Sequence, residues 1–574
     1  TTPATTTSDS GSTFRVVVSN SAGSVTSNSA TLTVNPAPPP STVSVLTYHN
    51  DNARTGVNPN ETILTTANVN SAKFGKIGTM AVDGLVDAEP LYVGSLNVGG
   101  TVRNVVFVAT EHDSVYAFDA DTFVQLWKKS MLGSGETTVA ASNGGPSDVG
   151  PCDQVEPEIG ITATPVIDPT QGPHGTIFVV AMSKNSSSYF HRLHALDLTT
   201  GAEQTGSPIT ISATFEKPGH AGQFVTFDPH QYKERPSLLL LNGVIYTSWA
   251  SQCDQDPYTG WIMGYSKSTL QQASVLNITP NGDRGAIWMS GGGPAADSSG
   301  NIYLTVGNGS FNPNSANFDT NGFPIDGDYG NAFLKLSTGG TPPLKVADYF
   351  NMHDTVSESG NDWDLSSGGA VVLVDMTDNA NRTWQLAVAA GKDARIYVVD
   401  RTNMGKFNSS TDNIYQEVPA AFSCVTGSCI FSMPAFFNNT LYYGAVNDNL
   451  RAFPFQNAQL VTPASSRSPA TFPYRGTSPS VSANGTSNGV VWAIQNCTSS
   501  TSCTGVLHAY DATDLSKELF NSNQNQPSGA SNRFSTNWDC KFVTPMIANG
   551  KVYVGTGTYV GSPSGAVVVY GLLP

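Results

Sequence analysis

The side chains able to do chemistry are not spread evenly along this chain. Glu89, Glu156 and Glu158, Lys233-Glu234-Arg235, Trp288, Asp362 and Asp364, Tyr474-Arg475, Asp539 and Lys541 each stand just before a short apolar run. Charged residues make up only 13% of the sequence, so their return to the same place in the pattern sets them apart. If the apolar runs are strands starting from a common end, these side chains converge on a mixed-charge funnel with aromatic walls. Such a funnel can bind a ligand, because a few convergent polar groups in an apolar recess fix its orientation. Glu89, Glu158, Arg235, Trp288, Asp364, Arg475 and Lys541 are the candidate ligand-binding residues. The competing reading is that acids and bases neutralise one another and pin loops, with no ligand.

Other groups offer less. Asp319, Asn321, Asp326 and Asp328 bring several oxygen donors into one long loop, a candidate Ca²⁺ site. Their spacing is not that of an EF-hand, and plain Asx turns account for the same residues. His191 and His194 lie three apart on a strand, which puts them on opposite faces and denies them a shared metal. Glu111-His112-Asp113 reads as a solvated turn between strands. No G-x-S-x-G elbow is present, and no nucleophile and base can be paired from spacing. Seven cysteines are present. Cys424 with Cys429, and Cys497 with Cys503, enclose short Ser-, Thr- and Gly-rich loops that suit local disulfides. No neighbouring His or second CxxC supports zinc there.

The elements that must position these residues are strands. With 55 Gly, 35 Pro and little charge, the composition suits short strands and exposed loops rather than helices. From Glu89 onward one pattern recurs: a Pro- or Gly-rich entry, a short apolar strand, a turn, a β-branched and aromatic strand, then a strand often ending in Asp. Val105-Val-Phe-Val108 with Ser114-Val-Tyr-Ala-Phe-Asp119 is the first copy; Thr176-Ile-Phe-Val179 with Arg192-Leu-His-Ala-Leu-Asp197 is the second. Eight copies can be traced, the last ending in Val567-Val-Val-Tyr570. Each can bury its faces only against its neighbours, so the copies form a ring or a solenoid. A ring accounts for the orphan strand Phe74–Val82, which as the outer strand of the last copy would close the circle and remove exposed edges. The expected fold is therefore all-β, an eight-bladed β-propeller. In a propeller, the loops entering inner strands share a face with the loops joining second and third strands, and all seven cysteines fall in these two classes. Cys152 and Cys253 belong to adjacent blades and are expected to pair, leaving Cys540 over.

Residues 1–35 are different. Asp9, Gly11 and Phe14, followed by alternating Val16 and Val18 and by Leu32 and Val34, resemble the last two strands of a bacterial immunoglobulin-like domain. Residues 36–43 are a Pro-rich linker, and 44–574 are assigned to the propeller. Alone, such a ribbon exposes an apolar face and strand edges, so self-association through it is an expectation, as are missing strands upstream.

The opening His49-Asn-Asp51-Asn-Ala-Arg54-Thr-Gly56 and repeats such as Val115-Tyr-Ala-Phe-Asp119 resemble the pyrroloquinoline-quinone (PQQ) propeller superfamily. Within it the chain is similar to secreted bacterial proteins carrying immunoglobulin-like repeats before the propeller. The resemblance is to a fold that hosts both dehydrogenases and non-enzymatic scaffolds. Its dehydrogenases hold Ca²⁺ with Glu, Asn and Asp, use an Asp base, and sandwich PQQ between a Trp and a disulfide of adjacent cysteines. This chain has no Cys-Cys pair and no C-x-x-C-H haem motif, which argues against PQQ and leaves the cofactor unassigned, with calcium kept open. The expected function is a non-catalytic recognition or assembly module acting outside the cell or in the periplasm, with a surface protein or glycan as partner. The alternative is a quinoprotein-like oxidoreductase of sugars or alcohols using PQQ and calcium. A net charge of −16 opposes nucleic-acid binding. No apolar stretch reaches the roughly 20 residues needed to span a bilayer.

Overall fold

The computed structural model describes residues 10–32, 43–142, 145–151, 155–496, 504–535, 541–557 and 564–574. The chain divides into two units, Thr1–Ser41 and Thr42–Pro574. In the first, Thr13–Phe14 pairs with Ala30–Thr31 and Val17–Asn20 pairs with Gly23–Thr26. These are two small ribbons whose residues are all exposed, Phe14, Val16 and Val18 included. The described residues do not stack into a sandwich. Gly23–Thr26 is a strand that the sequence pattern did not reveal, and Val34 lies outside the described residues.

The second unit is an eight-bladed β-propeller. Blade one is Leu91–Val98, Thr101–Thr110, Ser114–Asp119 and Gln125–Ser130, each antiparallel to the next. Blade two begins at Val166–Asp168, blade three at Leu239–Leu241, blade four at Ala295–Ala296 and blade five at Val371–Val372. Blades six, seven and eight begin at Ala435–Phe437, Ser480–Asn484 and Met546–Ala548. The fourth strand of blade eight is Phe74–Val82, antiparallel to Gly565–Leu572.

Second strands such as Thr176–Lys184 are buried almost throughout, because each blade is covered on both faces by its neighbours. This selects continuous β-branched and aromatic runs over alternation. The Asp that ends several third strands turns the chain outward. Asp119 accepts the amides of Asp121 and Thr122, Asp197 those of Thr199 and Thr200, Asp400 that of Thr402 and Asp511 that of Thr513. These Asx turns are a local reason for the recurrent aromatic-Asp ending.

Inner strands leave an unpaired edge facing the ring axis, and a buried unpaired amide is costly. Here the segment that follows residue 43 fills that need by passing from blade to blade. Ser44–Val45 pairs with Leu91–Val98 of blade one. The carbonyls of Leu46, Asn52, Ala53, Thr55 and Gly56 then accept the amides of Ile167, Ala296, Val372, Phe436 and Val481, from blades two, four, five, six and seven. The side chain of Asn52 reaches Leu240 O of blade three at 2.8 Å, and that of Asn58 reaches Ile547 O of blade eight at 2.9 Å. The segment is thus an axial plug that touches every blade. His49 and Arg54 are held in left-handed backbone, at φ 57° and 62°. Gly56 (φ +69°) is needed because a Cβ there would come within 2.7 Å of the His49 ring. The plug motif is therefore a hub, and its side chains are spent on structure.

Candidate functional site

Beside the plug, at the end of the ring where inner strands begin, lies a cavity of about 240 Å³. Arg235, Trp288, Asp364, Arg475 and Lys541 line it, each from the entry to a different inner strand. Lys233, Tyr474, Phe431 and Phe542 come from the same class of loop. Asp254, Tyr258, Asn308 and Lys392 come from loops joining second and third strands. Among the described residues the lining holds two acids, Asp254 and Asp364, and five cations, Lys233, Arg235, Lys392, Arg475 and Lys541, in a chain whose overall charge is −16.

The aromatic wall is continuous. Trp288 stands edge-on to Phe542 and to Phe431, with centroids 5.2 and 6.0 Å away, and Phe431 meets Tyr474 at 5.8 Å. The Phe542 ring carries the Arg235 guanidinium at 5.2 Å and that of Arg475 at 5.6 Å, within cation–π range. Arg235 is also anchored through Nη2 to Lys541 O at 3.2 Å. Met289, Arg475 and Phe542 sit at φ 51°, 109° and 63°, a region non-glycine residues other than Asn and Asp rarely enter. Strain of this kind persists where surrounding structure over-determines it, and it gathers at ligand sites. Trp288 is held by its own N–H donating to Ser366 Oγ at 2.9 Å.

Charge is arranged asymmetrically. Lys392 donates to Asp362 at 2.9 Å and to Asp364 at 2.7 Å. Burial works against its ammonium, but the two carboxylates outweigh it and hold its pKa above the usual lysine value. The other Asp364 oxygen accepts the Asn308 amide at 2.8 Å. Among the described residues Lys233 enters no ion pair. Burial is the main cause that pushes it down to about 7; Glu111 and Asp87 oppose the shift, while Arg235 and Lys541 reinforce it. Glu111 rises to about 7, mainly through burial and then the Asp87 charge. Asp87 accepts the Lys541 amide at 3.0 Å.

Two proposed ligand residues lie elsewhere. Glu89 does not line the cavity: its carboxylate accepts the His49 amide at 3.0 Å, so the plug has claimed it. Burial raises it to about 8. Glu158 pairs with His112 at 2.9 Å and accepts Thr138 Oγ1 at 2.6 Å, in a ribbon with Val139–Ala140 outside the cavity lining. Glu111 and Asp113 are fully buried, correcting the solvated turn. Glu111 accepts Gly160 N and Thr162 Oγ1, both at 2.9 Å, and only glycine fits at 160, where a Cβ would lie 2.3 Å from Glu111 O. The Asp319 loop is built on Asx turns: Asp319 accepts the amides of Asn321 and Phe323, and Asp326 that of Asp328, while Asp328 accepts Asn281 N. Among the described residues no group of three or more His, Cys, Asp and Glu is placed to hold a metal ion. His191 bonds Tyr232 O and His194 bonds Glu203, so the two histidines serve separate faces.

Cys424 and Cys429 form a disulfide with Cα atoms 5.1 Å apart. Cys253 is disulfide-bonded. Cys152, Cys497, Cys503 and Cys540 lie outside the described residues, as does Asp539. Lys392, Asp254, Phe431 and Phe542 are cavity residues the sequence reading missed. Lys392 had a legible signal, since Gly391-Lys-Asp393 follows a buried second strand in a loop class read only for its cysteines.

The fold is that of the PQQ-type, quinoprotein alcohol dehydrogenase-like propellers. Similar solved structures include the quinohemoprotein alcohol dehydrogenase from Comamonas testosteroni, at 14% identity and a TM-score of 0.55, covering 92% of this chain and 80% of that one. Another is a europium-containing methanol dehydrogenase, at 13% identity and a TM-score of 0.55, covering 92% and 98%. A third is the quinohemoprotein alcohol dehydrogenase ADHIIG from Pseudomonas putida HK5, at 12% identity and a TM-score of 0.54, covering 92% and 80%. At such identities the likeness concerns the fold. No family model and no curated protein matches the chain. Among the described residues no helix is long and apolar enough to cross a membrane.

Proposed function

We propose that this protein is a non-catalytic recognition module whose funnel binds a compact carboxylate or similar anion. One observation carries the reading: five cationic side chains and an aromatic wall surround a single cavity of about 240 Å³ in an acidic chain. Arginine offers planar forked donors to carboxylates, sulfates and phosphates, and the low-charge surroundings strengthen each contact. An acidic sugar at the end of a surface glycan and a free oligocarboxylate share this chemistry. Calorimetric titration with uronic-acid oligosaccharides and with citrate separates the two. Binding that weakens steeply with salt supports the reading, and no binding by either class overturns it. The Cys424–Cys429 disulfide agrees with action in an oxidising compartment. The exposed Phe14, Val16, Val18 and Val25 support self-association through the N-terminal unit. Sedimentation of the full chain across a concentration series tests it, and a monomer at every concentration removes it.

The second reading is a PQQ-dependent oxidoreductase of sugars or alcohols. It is favoured by the fold neighbours and by Trp288 beside cations able to bind the three carboxylates of PQQ. PQQ when bound would supply the two-electron acceptor; Arg235, Arg475 and Lys541 would hold its carboxylates. The accompanying calcium does not fit as well, because Asp362 and Asp364 are already neutralised by Lys392. Adding PQQ, with and without Ca²⁺, and measuring dye reduction with an alcohol decides between the readings. Sustained turnover would overturn the non-catalytic one.

A further inference from the structure

Of the five funnel cations, Lys233 is the one whose placement is not explained by anion binding alone. It lies in the two-residue strand Tyr232–Lys233, paired with Ser251 and Ala250 of blade three, so its backbone is fixed by a ladder rather than a mobile loop. The residue is 2% exposed and still lines the cavity. Among the described residues it enters no ion pair, whereas Lys392 is bonded to two carboxylates. The charged groups acting on it are Glu111 and Asp87 on one side of the balance and Arg235 and Lys541 on the other.

We propose that Lys233 is a Schiff-base lysine, whose amine forms a reversible imine with the carbonyl carbon of a 2-oxo acid held in the funnel. The proposal rests on the anion-site reading, since Arg235 and Lys541 are what would orient the carboxylate. A lysine buried in an apolar pocket beside other cations is a common way to obtain a nucleophilic amine. Burial penalises the ammonium and pushes Lys233 below the usual lysine value, which favours the uncharged amine.

The step needs no oxidant or reductant. The nitrogen lone pair attacks the carbonyl carbon, a C–N bond forms, and the carbonyl π pair moves to oxygen, which is protonated. The resulting carbinolamine loses its hydroxyl and the remaining N–H proton as water, leaving C=N. One amine and one ketone give one imine and one water.

The test uses the full chain with pyruvate as the probe. Sodium borohydride delivers hydride to an imine carbon and fixes the adduct, which peptide mass spectrometry then locates. Lys233 should carry the adduct at least tenfold above Lys392 and Lys541, and trapping by wild type should reach half its maximum at a lower pH than for an ordinary lysine. Lactate, with the same charge and no carbonyl, should bind reversibly and leave no adduct. Lys233→Arg should give no adduct, with its fold checked by melting. If pyruvate and lactate both bind but Lys233 is not labelled, the imine falls and the anion site stands. If neither binds, the anion-site reading falls first and takes the imine with it. Label spread evenly over surface lysines also overturns the proposal.

Discussion

Arg54 is the most informative residue to remove from the axial plug. Its side chain is fully buried, and its guanidinium donates to Pro294 O at 3.0 Å, Thr47 Oγ1 at 2.7 Å, Tyr48 O at 2.8 Å and Leu238 O at 3.0 Å. Pro294 and Leu238 precede the inner strands of blades four and three, so one side chain ties the plug to two blades. Exchanging a buried ion for an apolar chain of similar length is sometimes neutral, because the desolvation cost disappears with the charge. That cost is real here, since burial lowers Arg54 to about 10. The difference is that its partners are three carbonyls that stay behind. Each buried acceptor left without a donor costs about 1–3 kcal/mol, so with three of them Arg54→Met should destabilise by about 3–9 kcal/mol. An unfolding entropy of about 2.1 cal/mol/K per residue, over roughly 530 propeller residues, gives about 1.1 kcal/mol/K. The expected fall in Tm is therefore about 3–8 °C, read by differential scanning fluorimetry at one scan rate. Arg54→Lys should recover only part of it, because an ammonium cannot reach three divergent carbonyls in Arg's planar geometry. A change below about 1 °C for Arg54→Met would show that the plug does not secure the blades in this way.

Three further outcomes follow from the structure. Burial raises Glu89 to about 8, so the folded chain keeps a proton that the unfolded chain releases above its ordinary value. That contribution is fully present below about pH 4.5 and is lost as pH rises to about 8, so wild type should lose Tm relative to Glu89→Gln between pH 5 and 8. Equal pH slopes for the two proteins would contradict this. Arg475→Ala should weaken binding of a funnel anion by roughly 10- to 100-fold, the worth of a charged hydrogen bond, and isothermal titration measures it. The Cys424–Cys429 bridge closes a loop with a sequence separation of 5, so its chain-entropy contribution is small, about 2 kcal/mol. The double serine variant should melt about 2 °C lower, and a loss beyond 6 °C would mean that the bridge holds more than its own loop.

The blades were legible because their physics is repetitive. Runs such as Val105–Val108 and the Asp119 and Asp197 endings follow from two-sided burial and Asx turns, and both signals are local. The position just before an inner strand was also a sound guide to the cavity for Arg235, Trp288, Asp364, Arg475 and Lys541. It failed at Glu89, because at blade one the plug arrives first and His49 claims the carboxylate. It failed at Glu158 for a different reason: the long entry to blade two folds into its own ribbon with Val139–Ala140. Lys392 and Asp254 were missed because what a second-to-third-strand loop presents depends on its three-dimensional path, which periodicity does not encode. The plug motif was recognised only by resemblance. Its physical content, five carbonyls spent on five blades, requires contacts hundreds of residues apart in sequence.

The pair Asp362 and Asp364 shows why the shared ring does not carry chemistry with it. A divalent cation binds through carboxylate lone pairs, and at this pair Lys392 takes one oxygen of each acid while Asn308 N takes the other oxygen of Asp364. Admitting a dication would mean expelling Lys392, breaking two charge-assisted bonds and leaving an ammonium to be accommodated beside Arg235 and Arg475. The two acids hold Lys392 in its charged form, so raising the pH through the neutral range does not release the site. With that pair neutralised, Arg235, Arg475 and Lys541 are the residues on which the proposed anion site depends. Burial at the cavity wall then leaves Lys233 as the amine that least needs to be an ammonium.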